Sequence, residues 1–414
     1  MVVGGVRVRA IEEDELGDWV GASLTAFHGQ HGAAEEVRLR REVLRQPTPR
    51  TLGAFDGTEL VGTLHTFPTQ LSVPGETVLQ ADAVTSASVL PTHRRRGILR
   101  QLLTCDLHAA RARDEVASVL IAAEYPIYGR FGYGPATQHT TVTLAARAAF
   151  TNHQPLLGHV ELVERQTMLE LAPPLFDAFR RGCPGQISRE AANWQLRLGI
   201  RPLPWLASPP THFAVYRDEH GQAQGYLLYH VDGAWERRLP RATLQVDELI
   251  ARTPAAYMGL WRYCSEVDLL SSVRAGLRRV DEPLPWLLDN PRADWRELER
   301  VDFLWLRLLD TPAALGARRY ATEDELVLEV SDPLDVAGGR FLLHGSPHGA
   351  TVHPTERSAD LTLSMAALGA LLLGGTSWHL LAAAGWLSEQ RPGTLDRAQA
   401  LFGAARAPWC STFF

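Results

Sequence analysis

Over the first 125 residues, short alternating or periodic apolar runs are separated by turn residues. Val6-Arg7-Val8-Arg9-Ala10 alternates as a half-buried strand does. Glu12-Glu13-Asp14-Glu15 then places acids where a helix N-terminus favours negative charge, predicting a helix toward Phe27. A second helical pattern covers Ala33 to Leu44. Leu52 to Leu64 reads as a hairpin turning at Asp56-Gly57, and a further strand over Thr66 to Val73 stops at Pro74-Gly75. An uncharged strand, Val84 to Val89, precedes a helix built on Leu102, Leu103 and Leu107 and running to about Arg113. A buried strand, Ala117 to Ala122, follows.

The same logic returns more faintly from Val160. Phe213 to Leu227 repeats the hairpin, and Leu244 to Leu249 takes the place of the uncharged strand. The next residues, Ala251-Arg252-Thr253-Pro254, mark a helix start but hold no arginine-rich glycine turn. Near Asp302 the pattern changes. Phe303 to Leu308 is a strand, Thr311-Pro312 opens a short helix, and Leu326–Val330 pairs with Gly339–Leu343 across Asp332 to Gly338. Ala359 to Ser364, two apolar helices, an amphipathic helix from Leu395 to Ala404 and an extended run to Phe414 complete a separate α+β unit.

Composition narrows the class. A chain of 414 residues with 45% hydrophobic and 21% charged residues is globular and long enough for two or three domains. No aspartate, glutamate, lysine or arginine occurs between Leu361 and Ser388, but Gly374-Gly375-Thr376-Ser377 splits the stretch into pieces shorter than the ~20 residues of a membrane span. Two buried helices are expected instead of a span. The N-terminus lacks the apolar core of a signal peptide, and Cys105, Cys183, Cys264 and Cys410 form no C-x-x-C pair, so a cytoplasmic protein with reduced thiols is expected. A net charge of −6 argues against nucleic acid as a partner and suits a cationic substrate. The sequence contains no lysine.

The chemistry concentrates in His93-Arg94-Arg95-Arg96-Gly97-Ile98-Leu99-Arg100. A strand entering a helix through an arginine- and glycine-bearing turn forms a cradle for a diphosphate, because the first helical N–H groups have no internal partner. Gly97 lets the backbone approach, and the arginines neutralise charge. Arg94, Arg95, Gly97, Ile98 and Leu99 are the candidate cradle. Val84–Val89 is expected to splay from Ala117–Ala122, leaving backbone groups of Ala87 and Val89 to pair with an extended ligand as an added strand would. His28 and His31 lack a third ligand at helical spacing, so no metal is expected.

With Pro91–Arg100, Ile127–Thr137 and Ser411-Thr412-Phe413-Phe414 together, the chain resembles the Eis-type (enhanced intracellular survival) acetyltransferases over its whole length. The general acetyltransferase turn is R/Q-x-x-G-x-G/A, and Leu99 in the last position is a departure that Eis-like proteins share. The resemblance implies an α/β (α+β) chain of two tandem GNAT folds and a sterol-carrier-like domain, here residues 1–150, 151–301 and 302–414. It implies acetyl-CoA as cosubstrate, amines of aminoglycoside-like polycations or protein lysines as acceptors, and a homo-oligomer, typically a hexamer. With that cosubstrate, the backbone groups of Ala87 and Val89 would take the pantetheine arm, the Val89 N–H polarising the acetyl carbonyl; the resemblance gives Tyr128 as the acid for the departing thiolate and the terminal carboxylate of Phe414 as the base. Aminoglycoside-modifying relatives carry an aspartate in the early helix region, where this chain has Ala26; His28 and Glu36 are nearby candidates for the amine pocket. The alternative from another class is a non-catalytic acyl-CoA or lipid-binding protein using the sterol-carrier-like region.

Overall fold

The computed structural model describes residues 2–3, 5–28, 50–151, 157–201, 210–233 and 235–414. The predicted helix at Ala33–Leu44 and the candidate Glu36 lie outside these residues. The chain divides into two compact units. One holds residues 1–136, 303–405 and 413–414; the other holds 137–302 and 406–412.

In the first unit, strands β1 (Val2–Val3), β2 (Val6–Ala10), β3 (Thr51–Asp56), β4 (Glu59–Val73), β5 (Thr77–Val89), β6 (Ala117–Ile121), β7 (Gly134–Pro135) and β17 (Leu304–Leu308) form one sheet in the order β1-β2-β3-β4-β5-β6-β17-β7. The hairpin turns at Asp56-Gly57 as predicted, but its second arm does not stop near Leu64. It continues as one strand to Val73, pairing with β5 along its length apart from a bulge. Helix α1 (Leu16–Ala26) anchors Trp19 by an indole hydrogen bond of 2.8 Å to the Leu52 carbonyl. Helix α2 (Ile98–Ala112) buries Ile98, Leu102, Leu103, Leu107 and Ala110, an apolar face at helical spacing. After β6 comes the short helix α3 (Tyr125–Tyr128).

The strand expected to open the last unit belongs to this first sheet. β17 pairs antiparallel with β6, Leu304 opposite Ile121 through Leu308 opposite Ala117. All five of its residues are buried, so it is an interior strand that needs neighbours on both edges. The same unit carries a second sheet, β20-β19-β18-β21-β22, of β18 (Asp324–Ser331), β19 (Gly339–Ser346), β20 (Gly349–Pro354), β21 (Leu361–Ser364) and β22 (Leu387–Glu389). β18 and β19 pair as the sequence predicts, Val330 opposite Gly339.

The second unit is built on a sheet ordered β16-β8-β15-β14-β11-β10-β9. Its strands are β8 (Gln138–Ala145), β9 (His159–Leu162), β10 (His212–Arg217), β11 (Ala223–Asp232), β14 (Ala242–Ala251), β15 (Leu270–Arg278) and β16 (Trp295–Asp302), with β12 (Trp235–Glu236) and β13 (Leu239–Pro240) as a separate hairpin. Helices α4 (Arg165–Arg181), α5 (Ala191–Arg197) and α6 (Pro254–Glu266) pack in this unit. β8, predicted within the first domain's span, thus belongs to the second sheet. In the first unit the two apolar helices are α7 (Met365–Leu371), entirely buried, and α8 (Trp378–Ala383). No helix among the described residues is long and apolar enough to cross a membrane.

Candidate active site

β5 and β6 run parallel and pair only from Ala81–Ala117 to Val84–Leu120. Beyond Val84, β5 continues five residues on β4 alone, with a bulge at which Ser86 takes a left-handed φ of 53°. Thr63 fixes the bulge: its hydroxyl donates to the Ser86 carbonyl at 2.8 Å and lies 2.6 Å from the Ser88 hydroxyl. The Leu90 N–H bonds to the Val61 carbonyl at 2.9 Å. Alternate residues of an antiparallel ladder face the neighbouring strand, so the N–H and C=O of Val89 point away from β4, toward the parting from β6. Ala87 lies on the same unpaired stretch, just past the bulge. The predicted splay is present.

The next turn is exposed from Arg94 to Gly97, with left-handed backbone at Arg95 (φ 64°) and Gly97 (φ 77°). Gly97 is the N-cap of α2, and no side chain caps the helix. The N–H groups of Ile98 and Leu99 therefore face outward where the helix dipole is positive. Arg94 and Arg95 make no ion pair among the described residues. Arg96 instead bonds Asp56 at 3.0 Å, with His93 3.6 Å from the same carboxylate, which ties the turn to the β3–β4 hairpin. Backbone amides and two arginines are thus available to a diphosphate. These residues suit the phosphates and pantetheine of a CoA thioester.

Tyr128 closes α3, immediately beyond β6. Because β5 and β6 are parallel, the turn and Tyr128 lie at the carboxyl ends of the two diverging strands, where open α/β sheets place ligands. Burial, with Glu124 nearby, pushes the Tyr128 phenol up to about 12. It is a proton donor throughout the physiological range. Its hydroxyl makes no hydrogen bond among the described residues. The neighbouring tyrosines are engaged otherwise: Tyr133 is fully buried with its hydroxyl 2.7 Å from Ser118, and Tyr125 packs edge-on against Trp305.

Phe414 packs its ring edge-on against Phe67 of β4 at 5.5 Å, and Phe413 lies 6.5 Å from Phe303. Phe67 stands opposite Ala83, one residue before the strands part. Sequence reasoning did not single out Phe67. Ala26 ends α1 and is buried, whereas His28 is exposed with φ 56°. No cluster of three metal-ligating side chains occurs among the described residues.

In the second unit, residues 406–412 are held by many polar contacts. Arg189, fully buried, donates from Nε to Thr412 Oγ1 at 2.8 Å and from Nη2 to Ser411 Oγ at 3.1 Å, while Nη2 and Nη1 pair with the two Glu248 oxygens at 2.6 and 2.9 Å. The Trp409 indole donates to the Leu277 carbonyl at 2.7 Å. Arg189 and Trp409 were not anticipated in these roles.

Residues 7–136 and 185–308 each match the acetyltransferase (GNAT) domain family, and residues 311–411 match the sterol carrier protein domain. The N-acetyltransferase Eis of Mycobacterium tuberculosis is 34% identical across 94% of this chain and 95% of its own length. This chain is an Eis-type GNAT N-acetyltransferase. An uncharacterized N-acetyltransferase of Streptomyces avermitilis is 39% identical over 99% of both chains. The crystal structure of Eis1 from Mycobacterium abscessus aligns with TM-score 0.84 at 32% identity, covering 99% of this Eis-type chain and 100% of the other.

Proposed function

We propose that this protein transfers the acetyl group of acetyl-CoA to a primary amine of a cationic acceptor, either an aminoglycoside-like small molecule or a lysine side chain. The observation that carries the reading is the unpaired backbone of Val89, flanked by the Arg94–Leu99 turn and Tyr128 at the carboxyl ends of parting strands. The turn would hold the diphosphate, and Ala87 and Val89 the pantetheine arm. The Val89 N–H would stabilise negative charge on the attacked carbonyl oxygen.

The acceptor must lose a proton first. An amine with pKa near 10 is only ~0.1% neutral at pH 7, a cost of about 4 kcal/mol unless a base takes the proton. By its resemblance, the Phe414 carboxylate supplies that base, and its ring seat on Phe67 favours the assignment. The amine nitrogen then attacks the thioester carbonyl, the carbon–sulfur bond breaks, Tyr128 protonates the thiolate, and the second nitrogen proton, released as the amide forms, restores the phenol. Alanine at position 26 removes an acid from the amine-binding region, so polycations gain less there than in relatives with aspartate. Cytoplasmic location and a homo-oligomer, a hexamer by resemblance, complete the reading, with no nucleic-acid partner.

The lipid-carrier alternative has less support. Helix α7 is wholly buried, with Gly369 against the Leu306 carbonyl of β17 and the Ala366 carbonyl against Gly134. The 520 Å³ groove of this domain sets Glu329, Arg340 and Thr362 beside Leu363, Trp386 and Leu387, a mixed lining and not an apolar channel.

The test is thiol release from acetyl-CoA against a panel of polyamines and lysine peptides. Amine-dependent release is expected, and one residue appended after Phe414 should cut turnover by about 10²-fold or more. Absence of amine-dependent release with every acceptor would overturn the proposal.

A further inference from the structure

Arg307 is the single charge in the buried strand Leu304-Trp305-Leu306-Arg307-Leu308, and its side chain has no solvent exposure. One prong of the guanidinium, Nη1, donates to the Phe131 carbonyl in the loop directly after Tyr128. The other, Nη2, lies 2.8 and 2.7 Å from the two oxygens of Asp332, itself buried in the sterol-carrier-like domain. Asp332 in turn accepts from the N–H groups of Leu334 at 3.0 Å and of Val336 and Ala337 at 2.9 Å. Arg111 of α2 donates to the Val336 carbonyl and Thr311 to that of Ala337, so this acceptor turn is fixed from three sides.

The loop's own bonds are Gly132 N–H to the Gly129 carbonyl at 3.0 Å, Tyr133 N–H to the Tyr128 carbonyl at 3.3 Å and Arg130 Nη2 to the Pro126 carbonyl at 3.1 Å, and the Tyr128 ring packs edge-on against Tyr133. A 360 Å³ cavity borders it, lined by Gly129, Arg130, Gly132, Asp332, Pro333 and Ala366 among others. Gly132 adopts φ 83°, and a Cβ there would collide with Nη1 of Arg307, so the guanidinium fills the space behind the loop. With a cavity beside it, the backbone that follows the Tyr128 phenol is held on its buried side by this fork.

We infer that Arg307 and Asp332 are positioning residues for the Tyr128 acid, so that the sterol-carrier-like domain sets the geometry of thiolate protonation in the first GNAT domain. The inference rests on the proposed role of Tyr128. A planar guanidinium bridges a carbonyl and a bidentate carboxylate at fixed angles, which an ammonium point charge cannot do. Displacement of the loop moves the phenol away from the leaving sulfur without altering the Val89 backbone or the Arg94–Leu99 turn.

A double-mutant cycle between Asp332→Asn and Tyr128→Phe tests this, with kcat and the KM for acetyl-CoA as readouts. With Tyr128 intact, Asp332→Asn should lower kcat by about 10-fold, since small misplacement of a reacting group is costly, and leave KM within about 2-fold. Added to Tyr128→Phe, it should lower kcat no further. Arg307→Lys keeps the buried charge but gives up the second prong, and it should behave the same way; it decides the matter if Asp332→Asn does not fold. Equal losses in both backgrounds, or no loss in the first, would overturn the inference. Full activity of Tyr128→Phe alone would refute the acid role itself.

Discussion

β5 leaves β6 after Val84, and β14 leaves β15 after Val246. Each leading strand bulges just past the parting, near Ser86 in one and at Asp247 in the other. The two regions then differ. In the first, Val89 keeps its backbone unpaired, and the eight residues from Leu90 to Gly97 lead into a helix no side chain caps. In the second, the Leu249 carbonyl accepts from Arg278 at 3.0 Å, and Glu248 is bound by Arg189 and by Tyr226 at 2.7 Å. Only Arg252 and Thr253 connect β14 to α6, Pro254 has no N–H, and Thr253 caps the Ala256 N–H at 3.1 Å. The chain's own residues 409–412 bind at both diverging strands, Trp409 at Leu277 and Ser411 through the Arg189–Glu248 pair. A splayed sheet is therefore not enough to make a cofactor site; what matters is whether its exposed backbone is left open or satisfied internally.

The sharpest way to break this contrast is Trp409→Ala. Removing a buried indole of this kind costs about 3–5 kcal/mol, and the loss should appear in denaturant unfolding of the second unit. Calorimetric titration of the variant with CoA should still give one site per chain, because the short capped connection offers no diphosphate cradle. A second binding event would mean that the tail alone keeps the second cleft closed.

Much of this was readable in the residues. The Asp56-Gly57 turn, α2 and the uncharged end of β5, Val84–Val89, follow from local pattern, and the Arg94–Leu99 turn and Tyr128 from motif and resemblance. The location of Leu304–Leu308 was not readable. An apolar run announces an interior strand but not which sheet receives it, since that pairing spans nearly two hundred residues of chain. The lone Arg307 within that run was the available signal, because a charge is buried only with a partner. Trp409 gave no comparable sign, since an apolar residue near a terminus does not reveal which cleft it fills.

The two regions also carry buried carboxylates with opposite pH signatures. On β5, Asp82 is raised to about 6 by burial and by Glu115, and it lies beside Asp106 of α2, also raised by burial; the pair retains a proton above the usual carboxylate range. On β14, Glu248 pays a burial penalty but is held at about 2 by Arg189 and Arg197. A proton kept by the folded state stabilises it fully below about pH 4, and this contribution is lost as pH rises toward 6. A lowered pKa does the reverse: the Glu248 contribution is complete above about pH 4.5 and fades as pH falls toward 2. Hydrogen exchange of β5 and β14 peptides, corrected for the intrinsic rate, should show these opposite trends, each about 3 kcal/mol in size. Asp82→Asn should flatten the first and Glu248→Gln the second. Trends of the same sign in both strands would break the comparison.

The smallest effects separate the two helix entrances most cleanly. Gly97 has open space where a Cβ would go, so Gly97→Ala introduces only the strain of a left-handed backbone, about 1–2 kcal/mol. Relief of that strain turns the amides of Ile98 and Leu99 away from a bound diphosphate, so CoA affinity should fall by about 5- to 10-fold with little loss of stability. Thr253→Ala removes a side-chain cap worth about 1 kcal/mol, and that loss should appear as stability with CoA affinity unchanged. The two substitutions are similar in energy and occupy corresponding entrances, so only the coupling to ligand distinguishes them. Titration calorimetry and thermal unfolding on both variants measure that coupling directly. If Thr253→Ala weakened CoA binding as Gly97→Ala does, the second entrance would have to count as part of a working cradle.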